Sequence, residues 1–210
     1  MLKKTLLLDT KALISSVVIA FLLVYFGFED NHGLNYILIT IVFLTVSVIV
    51  TKIGTDEKKK IGVYEHMRSW ENVVANGIIP ILCLALNSTN AFVGAIAGIT
   101  ADKFASELGV FGGDPIYLGT LKKAKRGTNG AVSWFGLLMS YFGGMLIGLS
   151  WCFLIGDFNS YKILTIGLCG FIGSFGDSIA GIFEEKGIGN KFTSNVIGAI
   201  FGAIASFYIL

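Results

Sequence analysis

Long apolar runs with very few charges constrain this chain more than any other feature. A helix of about 20 apolar residues is long enough to cross a bilayer. We expect seven spans, with six as the alternative count, at 12–28, 34–53, 72–86, 89–105, 131–155, 161–183 and 196–210. The chain is therefore predicted to be an all-α polytopic membrane helix bundle, a single transmembrane domain over 1–210 with a leading helix pair over 12–53 and a core over 68–210.

The basic residues predict the orientation of these spans. With seven crossings, placing the segment 52–68 in the cytoplasm puts the N-terminus and the loops 106–130 and 184–191 there too. Every Lys and Arg except Lys162 then lies inside, as the positive-inside rule requires. We expect a multi-pass cell membrane protein, N-in and C-out. The formal net charge of +2 gives no reason to expect nucleic-acid binding.

Two spans share a pattern in which a glycine lies four residues before an aspartate. The matching positions are Gly98, Ala101, Asp102 and Ala105 in the fourth span and Gly173, Gly176, Asp177 and Ala180 in the sixth. An Asn-Gly pair precedes each, which favours a parallel internal repeat of two helices. The alternative is coincidence, because the chain contains 27 glycines.

Asp102 and Asp177 are acidic residues within predicted spans, near their cytoplasmic ends. Charges inside a membrane are costly, so each is a candidate functional residue. Carboxylate oxygens suit Mg²⁺, which binds one or two carboxylates together with waters and substrate phosphates. Glu107 is a third candidate ligand. The structural alternative pairs Asp102 with Lys103 or Arg126.

A cluster of cations precedes a glycine-bounded turn that leads into the fifth span. Its members are Lys122, Lys125, Arg126, Gly127, Thr128, Asn129 and Gly130. Cations, accessible backbone N–H groups and a helix N-terminus together suit a phosphate group. The same composition also fits a cytoplasmic loop beside anionic lipid head groups, so both interpretations stay open here.

Polar side chains from five spans are predicted to lie at one membrane depth. They are Asn76, Asp102, Asn129, Asp177 and Asn195, with Ser106 and Ser178 as further candidates. Polar side chains within a membrane often serve only to hydrogen-bond one helix to another. Their convergence on one cytoplasmic pocket instead favours a site.

Four ordered blocks of the sequence support a resemblance to a known family. They are Arg68–Gly77 (RSWENVVANG), Ala101–Gly109 (ADKFASELG), Gly127–Ser133 (GTNGAVS) and Gly176–Gly181 (GDSIAG). In these blocks the chain resembles a family of integral membrane proteins that includes the plant phytyl-phosphate kinase of vitamin E recycling. More distantly it is similar to dolichol and phytol kinases. The resemblance implies a kinase that uses CTP or another nucleoside triphosphate, such as ATP, to convert an isoprenoid monophosphate to its diphosphate.

The resemblance and the residues together predict the parts of a phosphoryl-transfer site over 68–210. Asp102, Asp177 and Glu107 would hold Mg²⁺, and Lys103 is a further catalytic candidate. The remaining candidates would bind the nucleotide phosphates: Lys122, Lys125, Arg126, the turn Gly127–Gly130, Asn76, Ser106, Ser178 and Asn195. The expected partners are a prenyl-phosphate lipid, a nucleoside triphosphate and membrane lipids, and a homo-oligomer stays open.

Two other classes of protein share these sequence features. Secondary transporters also combine repeats, interrupted helices and intramembrane carboxylates, but their sites lie near the membrane midplane. The other class is a non-catalytic scaffold or lipid-binding protein. The predicted depth of the two aspartates, close to one surface, favours the kinase.

Overall fold

The computed structural model describes residues 9–28, 32–64 and 69–210. Its helices are α1 (Thr10–Gly27), α2 (Gly33–Lys52), α3 (Thr55–Lys60), α4 (Trp70–Ala85), α5 (Thr89–Leu108), α6 (Trp134–Ile155), α7 (Ser160–Glu185) and α8 (Lys191–Ile209). A 3₁₀ turn (Gly109–Phe111) and the strands β1 (Ile116–Tyr117), β2 (Lys122–Lys123) and β3 (Ala131–Val132) connect α5 to α6. Lys3, Lys4 and Arg68, which were predicted to lie on the cytoplasmic side, are outside the described residues.

The helices form the expected all-α bundle of a polytopic membrane protein. Among the described helices, α1, α2, α6, α7 and α8 are long and apolar enough to cross a membrane, and α4 is a shorter apolar helix. Helix α5 is buried continuously from Ala91 to Ala101. Each predicted span falls on a helix. Because α5 carries three charged residues, hydropathy over the described residues gives five to six crossings. The sequence predicted seven, with six as the alternative.

The starts of α6 and α8 differ from the prediction because a side chain caps each helix at another residue. Helix α6 begins at Trp134, since Ala131 and Val132 pair as a strand and the Ser133 hydroxyl accepts a hydrogen bond from the Gly136 N–H at 3.0 Å. Helix α8 begins at Lys191, and the Asn190 side chain accepts from the Thr193 N–H at 3.2 Å. Side-chain oxygens at these positions satisfy N–H groups that lack a partner within the helix.

Glycines bring α5, α6, α7 and α8 into backbone contact at the centre of the bundle. A methyl group on Gly144 in α6 would lie 2.8 Å from the carbonyl oxygen of Gly167 in α7. One on Gly202 in α8 would lie 2.4 Å from the carbonyl oxygen of Gly94 in α5. Lipid tails are as apolar as leucine, so close packing of small residues is a main source of attraction between membrane helices.

Of the two leading helices, α2 packs directly on this centre. The Tyr36 hydroxyl in α2 lies 2.7 Å from the Thr89 hydroxyl at the start of α5. The Tyr36 ring also stacks on Trp151 of α6, with 5.9 Å between ring centroids. These contacts with α5 and α6 hold α2 against the centre of the bundle.

A small sheet lies in the α5–α6 connection, which we call the cap (residues 109–133). Strand β1 is central, and Ile116 pairs with Lys123 on one side and Val132 on the other. The Ser133 hydroxyl donates to the Gly109 carbonyl oxygen at 2.8 Å, which joins the two ends of the cap. Strands of two residues carry no alternating pattern, so the sequence predicted a loop over 106–130 and a span from 131.

Candidate active site

A cavity of about 660 Å³ lies where α5 and α7 end and α6 and α8 begin, beneath the cap. Most of the predicted site residues line it: Asn76, Asp102, Lys103, Ser106, Glu107, Lys125, Arg126, Gly127, Thr128, Asn129, Gly130, Asp177, Ser178 and Asn195. Lys122 is not part of this lining; it lies in β2 and is exposed. The structure therefore brings together polar residues of α4, α5, α7, α8 and the cap.

The two aspartates are neighbours because of a glycine crossing one helical turn away. A methyl group on Gly173 would lie 2.6 Å from the Cα atom of Gly98. Asp102 and Asp177 each follow these glycines by four residues on helices that run in the same direction, so they lie on the same faces. Both aspartates line the same cavity and the same small recess beside it. This pairing follows the predicted Gly-Asp repeat.

Asp177 has an unsatisfied oxygen in this cavity. The residue is 6% exposed, and its Oδ1 atom is buried without a hydrogen-bond partner among the described residues. Its Oδ2 atom lies 3.9 Å from Nζ of Lys191. A buried carboxylate oxygen is costly unless it is paired or coordinates a cation. A bound cation between Asp102 and Asp177 would satisfy this oxygen and relieve the repulsion between the two groups.

The donor set fits Mg²⁺ as it is bound in nucleotide-using enzymes. In the described part of the chain, no three acidic, histidine or cysteine side chains are grouped as a complete metal cage. Two carboxylates with space for waters and phosphate oxygens are the usual arrangement for Mg²⁺. Asn76 and Asn195 line a small recess beside the aspartate pair. Their amides are placed to bind waters or phosphate oxygens near such an ion.

Glu107 is engaged by two lysines rather than left open for a metal. Its Oε1 atom lies 2.7 Å from Nζ of Lys103 and accepts from the Thr51 hydroxyl at 2.9 Å. Its Oε2 atom accepts from Nζ of Lys58 at 2.7 Å. Cations therefore occupy both oxygens of Glu107. The geometry gives the predicted metal role of Glu107 no support.

Backbone contact with α7 fixes the glycine turn of the cap at the cavity. Gly130 has φ +70°, and a methyl group on it would lie 2.7 Å from the backbone nitrogen of Ile182. The Asn129 amide donates to Oε1 of Glu184 at 3.2 Å. The Tyr117 hydroxyl donates to the Ile182 carbonyl oxygen at 3.3 Å. These contacts hold the Gly127–Gly130 turn above the aspartate pair.

The other polar residues of the lining make local bonds. The Ser178 hydroxyl donates to the Ser174 carbonyl oxygen at 3.2 Å. The Ser106 hydroxyl donates to the Lys103 carbonyl oxygen at 3.3 Å. The Asn76 amide donates to Oδ1 of Asn72 at 3.0 Å. A hydroxyl or amide held in this way keeps acceptor capacity toward the cavity.

Several residues of the cavity lining, charged ones among them, were not predicted from the sequence. Lys58, Glu184 and Lys191 all line the cavity. Glu184 accepts from Asn129 of the cap and, through Oε2, from the Ser194 hydroxyl of α8 at 3.2 Å. Glu184 shares a helical face with Asp177, seven residues earlier, and that spacing was the available signal. Lys58 lies in a run of lysines that is typical of a cytoplasmic loop.

Comparison with known proteins agrees with the bundle. The sequence profile of the family described as "Integral membrane protein DUF92" matches residues 2–205. The chain thus belongs to this family of integral membrane proteins. It is 38% identical over 213 residues to "Uncharacterized membrane protein MJ0933" of Methanocaldococcus jannaschii, covering 97% of this chain and 86% of that protein.

A plant relative is more distant. The chain is 31% identical over 186 residues to "Protein PGR" of Arabidopsis thaliana, covering 71% of this chain. The match spans 64% of the plant protein's length, less than two thirds of it. No solved structure matches the chain.

Proposed function

We propose that this membrane protein is a kinase that transfers the γ-phosphoryl group of CTP, or of another nucleoside triphosphate, to an isoprenoid monophosphate of the phytyl or geranylgeranyl type. The observation that carries the proposal is one cavity lined by two carboxylates, Asp102 and Asp177, below a turn that supplies cations and glycine amides. Phosphoryl transfer requires mainly positioning and neutralisation of charge, and these groups supply both.

Asp102 and Asp177 would hold Mg²⁺, and the ion would neutralise negative charge on the transferred phosphoryl group. The unsatisfied Oδ1 atom of Asp177 supports this assignment. Lys125, Arg126 and the N–H groups of the Gly127–Gly130 turn would bind the triphosphate. Lys122 has no part in the proposed site because it lies outside the cavity lining.

The proposed acceptor is a phosphate, which is already anionic near neutral pH. It therefore needs no strong general base, and none of the residues described as lining the cavity is a histidine. The isoprenoid tail would lie between the apolar helices and lipid, with its phosphate in the cavity. Such a substrate explains why the enzyme would be built inside a membrane.

The distribution of charge supports a cytoplasmic position for the cavity. Lys52 ends α2 and Lys186 follows α7 at the cavity end of the bundle. Lys162, in the first turn of α7, lies at the opposite end and pairs with Asp157. This asymmetry agrees with the positive-inside rule and would give the site access to cytoplasmic nucleotide.

The depth of the aspartate pair in the membrane also distinguishes the proposed kinase from a secondary transporter. Asp102 lies six residues before the last residue of α5, Leu108, or about 9 Å at 1.5 Å per residue. Transporter sites lie near the membrane midplane. A site close to the helix ends favours an enzyme that uses a soluble nucleotide.

The direct test is a transfer assay with the purified full chain in lipid nanodiscs. CTP, ATP, GTP and UTP labelled at the γ-phosphate are each combined with Mg²⁺ and with phytyl, geranylgeranyl or longer prenyl phosphates. We expect label in a prenyl diphosphate with at least one combination. Absence of transfer with every combination would overturn the proposal. Prenyl-phosphate flux in proteoliposomes without nucleotide consumption would support the transporter instead.

A further inference from the structure

Four residues at the boundary between the leading helices and α5 form a buried polar cluster. The Glu107 cluster consists of Thr51, Lys58, Lys103 and Glu107, and it joins the end of α2, helix α3 and the end of α5. Glu107 accepts from both lysines at 2.7 Å and from the threonine hydroxyl at 2.9 Å. The cluster contains two cations and one carboxylate, so it carries a net positive charge beside the cavity.

The two lysines of the cluster differ in how deeply their side chains are buried. The Lys58 side chain is 1% exposed, and its Nζ atom donates to the Val50 and Thr51 carbonyl oxygens at 2.9 and 3.2 Å as well as to Glu107. These three bonds use all three N–H donors of the ammonium group. The Lys103 side chain is 16% exposed and lines the cavity directly after Asp102. Lys58 is thus a fixed anchor, whereas Lys103 is able to reach a ligand.

We propose that Glu107, held by Lys58, positions Lys103 to bind a phosphate oxygen of the nucleotide. This inference rests on the proposed nucleotide-dependent function. On nucleotide binding, the Lys103 ammonium moves from Oε1 of Glu107 to the phosphate. Glu107 remains neutralised by Lys58 and hydrogen-bonded by Thr51, so the movement leaves no unpaired buried charge.

This arrangement gives the leading helices a part in the site. The carbonyl oxygens of Val50 and Thr51 come from the last turns of α2, and Lys58 comes from α3. They share Glu107 with a lysine of the cavity. Lys58 is therefore a positioning residue that lies outside the 68–210 core and acts on the nucleotide through Glu107 and Lys103.

The first variant, Lys58→Met, removes the anchor and keeps most of the side-chain volume. Lys103 is then the one lysine left to neutralise Glu107, which holds it away from the phosphate. In Lys58→Met/Glu107→Gln, the neutral amide no longer holds Lys103. We expect the dissociation constant for radiolabelled CTP with Mg²⁺ to rise about tenfold in Lys58→Met, as in Lys103→Met. In the double variant we expect it to return to within about threefold of wild type.

Lys162→Met, at the opposite end of the bundle, is the matched control and should leave the dissociation constant unchanged. Thermal unfolding of each variant separates positioning from loss of fold, because a purely structural role predicts that the double variant binds no better than Lys58→Met. A double variant that binds CTP no better than Lys58→Met would overturn the inference. So would a Lys103→Met variant that binds CTP as tightly as wild type.

Phosphate transfer by each variant is measured in parallel with binding. If wild type binds CTP through Lys103 but transfers no phosphate, the proposed function fails while this inference stands.

Discussion

A methyl group on Gly173 would lie 2.6 Å from the Cα atom of Gly98, so α5 and α7 meet backbone to backbone one turn before Asp102 and Asp177. Side chains larger than hydrogen at this crossing would separate the helices. The distance between the two carboxylates depends on this contact. The glycines of the repeat therefore serve the site as well as the packing of the bundle.

Replacing Gly173 by alanine tests this dependence. We expect Gly173→Ala to lower the free energy of unfolding by about 1–3 kcal/mol, as overpacking commonly does, and to reduce phosphoryl transfer further by moving the aspartates apart. The control is Gly77→Ala, whose methyl would lie nearest to the end of the Ile19 side chain, at 2.5 Å, rather than to another backbone. Thermal unfolding and transfer assays on both variants measure the two effects. If Gly173→Ala and Gly77→Ala lost equal amounts of transfer activity, the glycine crossing would have no special role in positioning the aspartates.

The role of the Gly130 turn in nucleotide binding can be tested by comparing Gly130 with Gly113, a glycine that also has a positive φ. Gly130 and Gly113 have φ +70° and +90°, so alanine at either position costs roughly 1–2 kcal/mol of backbone strain. Only the Gly130 methyl would meet α7, because nothing lies within 4 Å of the position that a methyl on Gly113 would take. We expect nucleotide affinity to fall about tenfold in Gly130→Ala and to stay near wild type in Gly113→Ala. Equilibrium CTP binding provides the comparison.

The position of each cation in the cap predicts its effect on binding. Lys125 lines the cavity, whereas the Lys123 side chain is 81% exposed and pairs with Asp114 at 3.5 Å. We expect Lys125→Met to raise the dissociation constant for CTP about tenfold, the loss of one charge-assisted contact. Lys123→Met should bind as wild type does. If Lys123→Met weakened CTP binding and Lys125→Met did not, the nucleotide would bind to the outer face of the cap.

Much of the bundle and the aspartate pair could be predicted from the sequence. Apolar runs of about 20 residues located the helices because length and hydropathy determine them locally. Gly98 and Gly173, four residues before Asp102 and Asp177, predicted that the two aspartates lie on matching faces. A helical period of 3.6 residues makes such spacing informative without any knowledge of tertiary contacts.

The interactions that could not be predicted join residues far apart in sequence. Lys58 and Glu107 are 49 residues apart, and each resembles an ordinary surface charge in its own segment. The sequence placed Glu107 among the candidate metal ligands, whereas the structure pairs it with two lysines. Lys122 and Lys125 belong to one basic run, and the turn of the chain after β2 places only the second in the cavity lining. Neither effect has a local signature.

Magnesium dependence should follow the aspartate pair. Removal of divalent ions by EDTA should abolish transfer, and added Mg²⁺ should restore it. In Asp102→Asn we expect the Mg²⁺ concentration for half-maximal activity to rise about tenfold or more, because one of two anionic ligands is lost. Asp157→Asn makes the same change at the opposite end of the bundle and should leave the Mg²⁺ titration unchanged. Identical titrations for the two variants would place the metal elsewhere.

The most direct measurement compares wild type, Asp177→Asn and Asp157→Asn in the transfer of γ-phosphate from labelled CTP to geranylgeranyl phosphate. The proposed site predicts that Asp177→Asn, folded and embedded as wild type is, loses roughly 100-fold or more of kcat. Asp157→Asn should retain wild-type kcat. Full transfer activity in Asp177→Asn would contradict the assignment of the aspartate pair as the phosphoryl-transfer site.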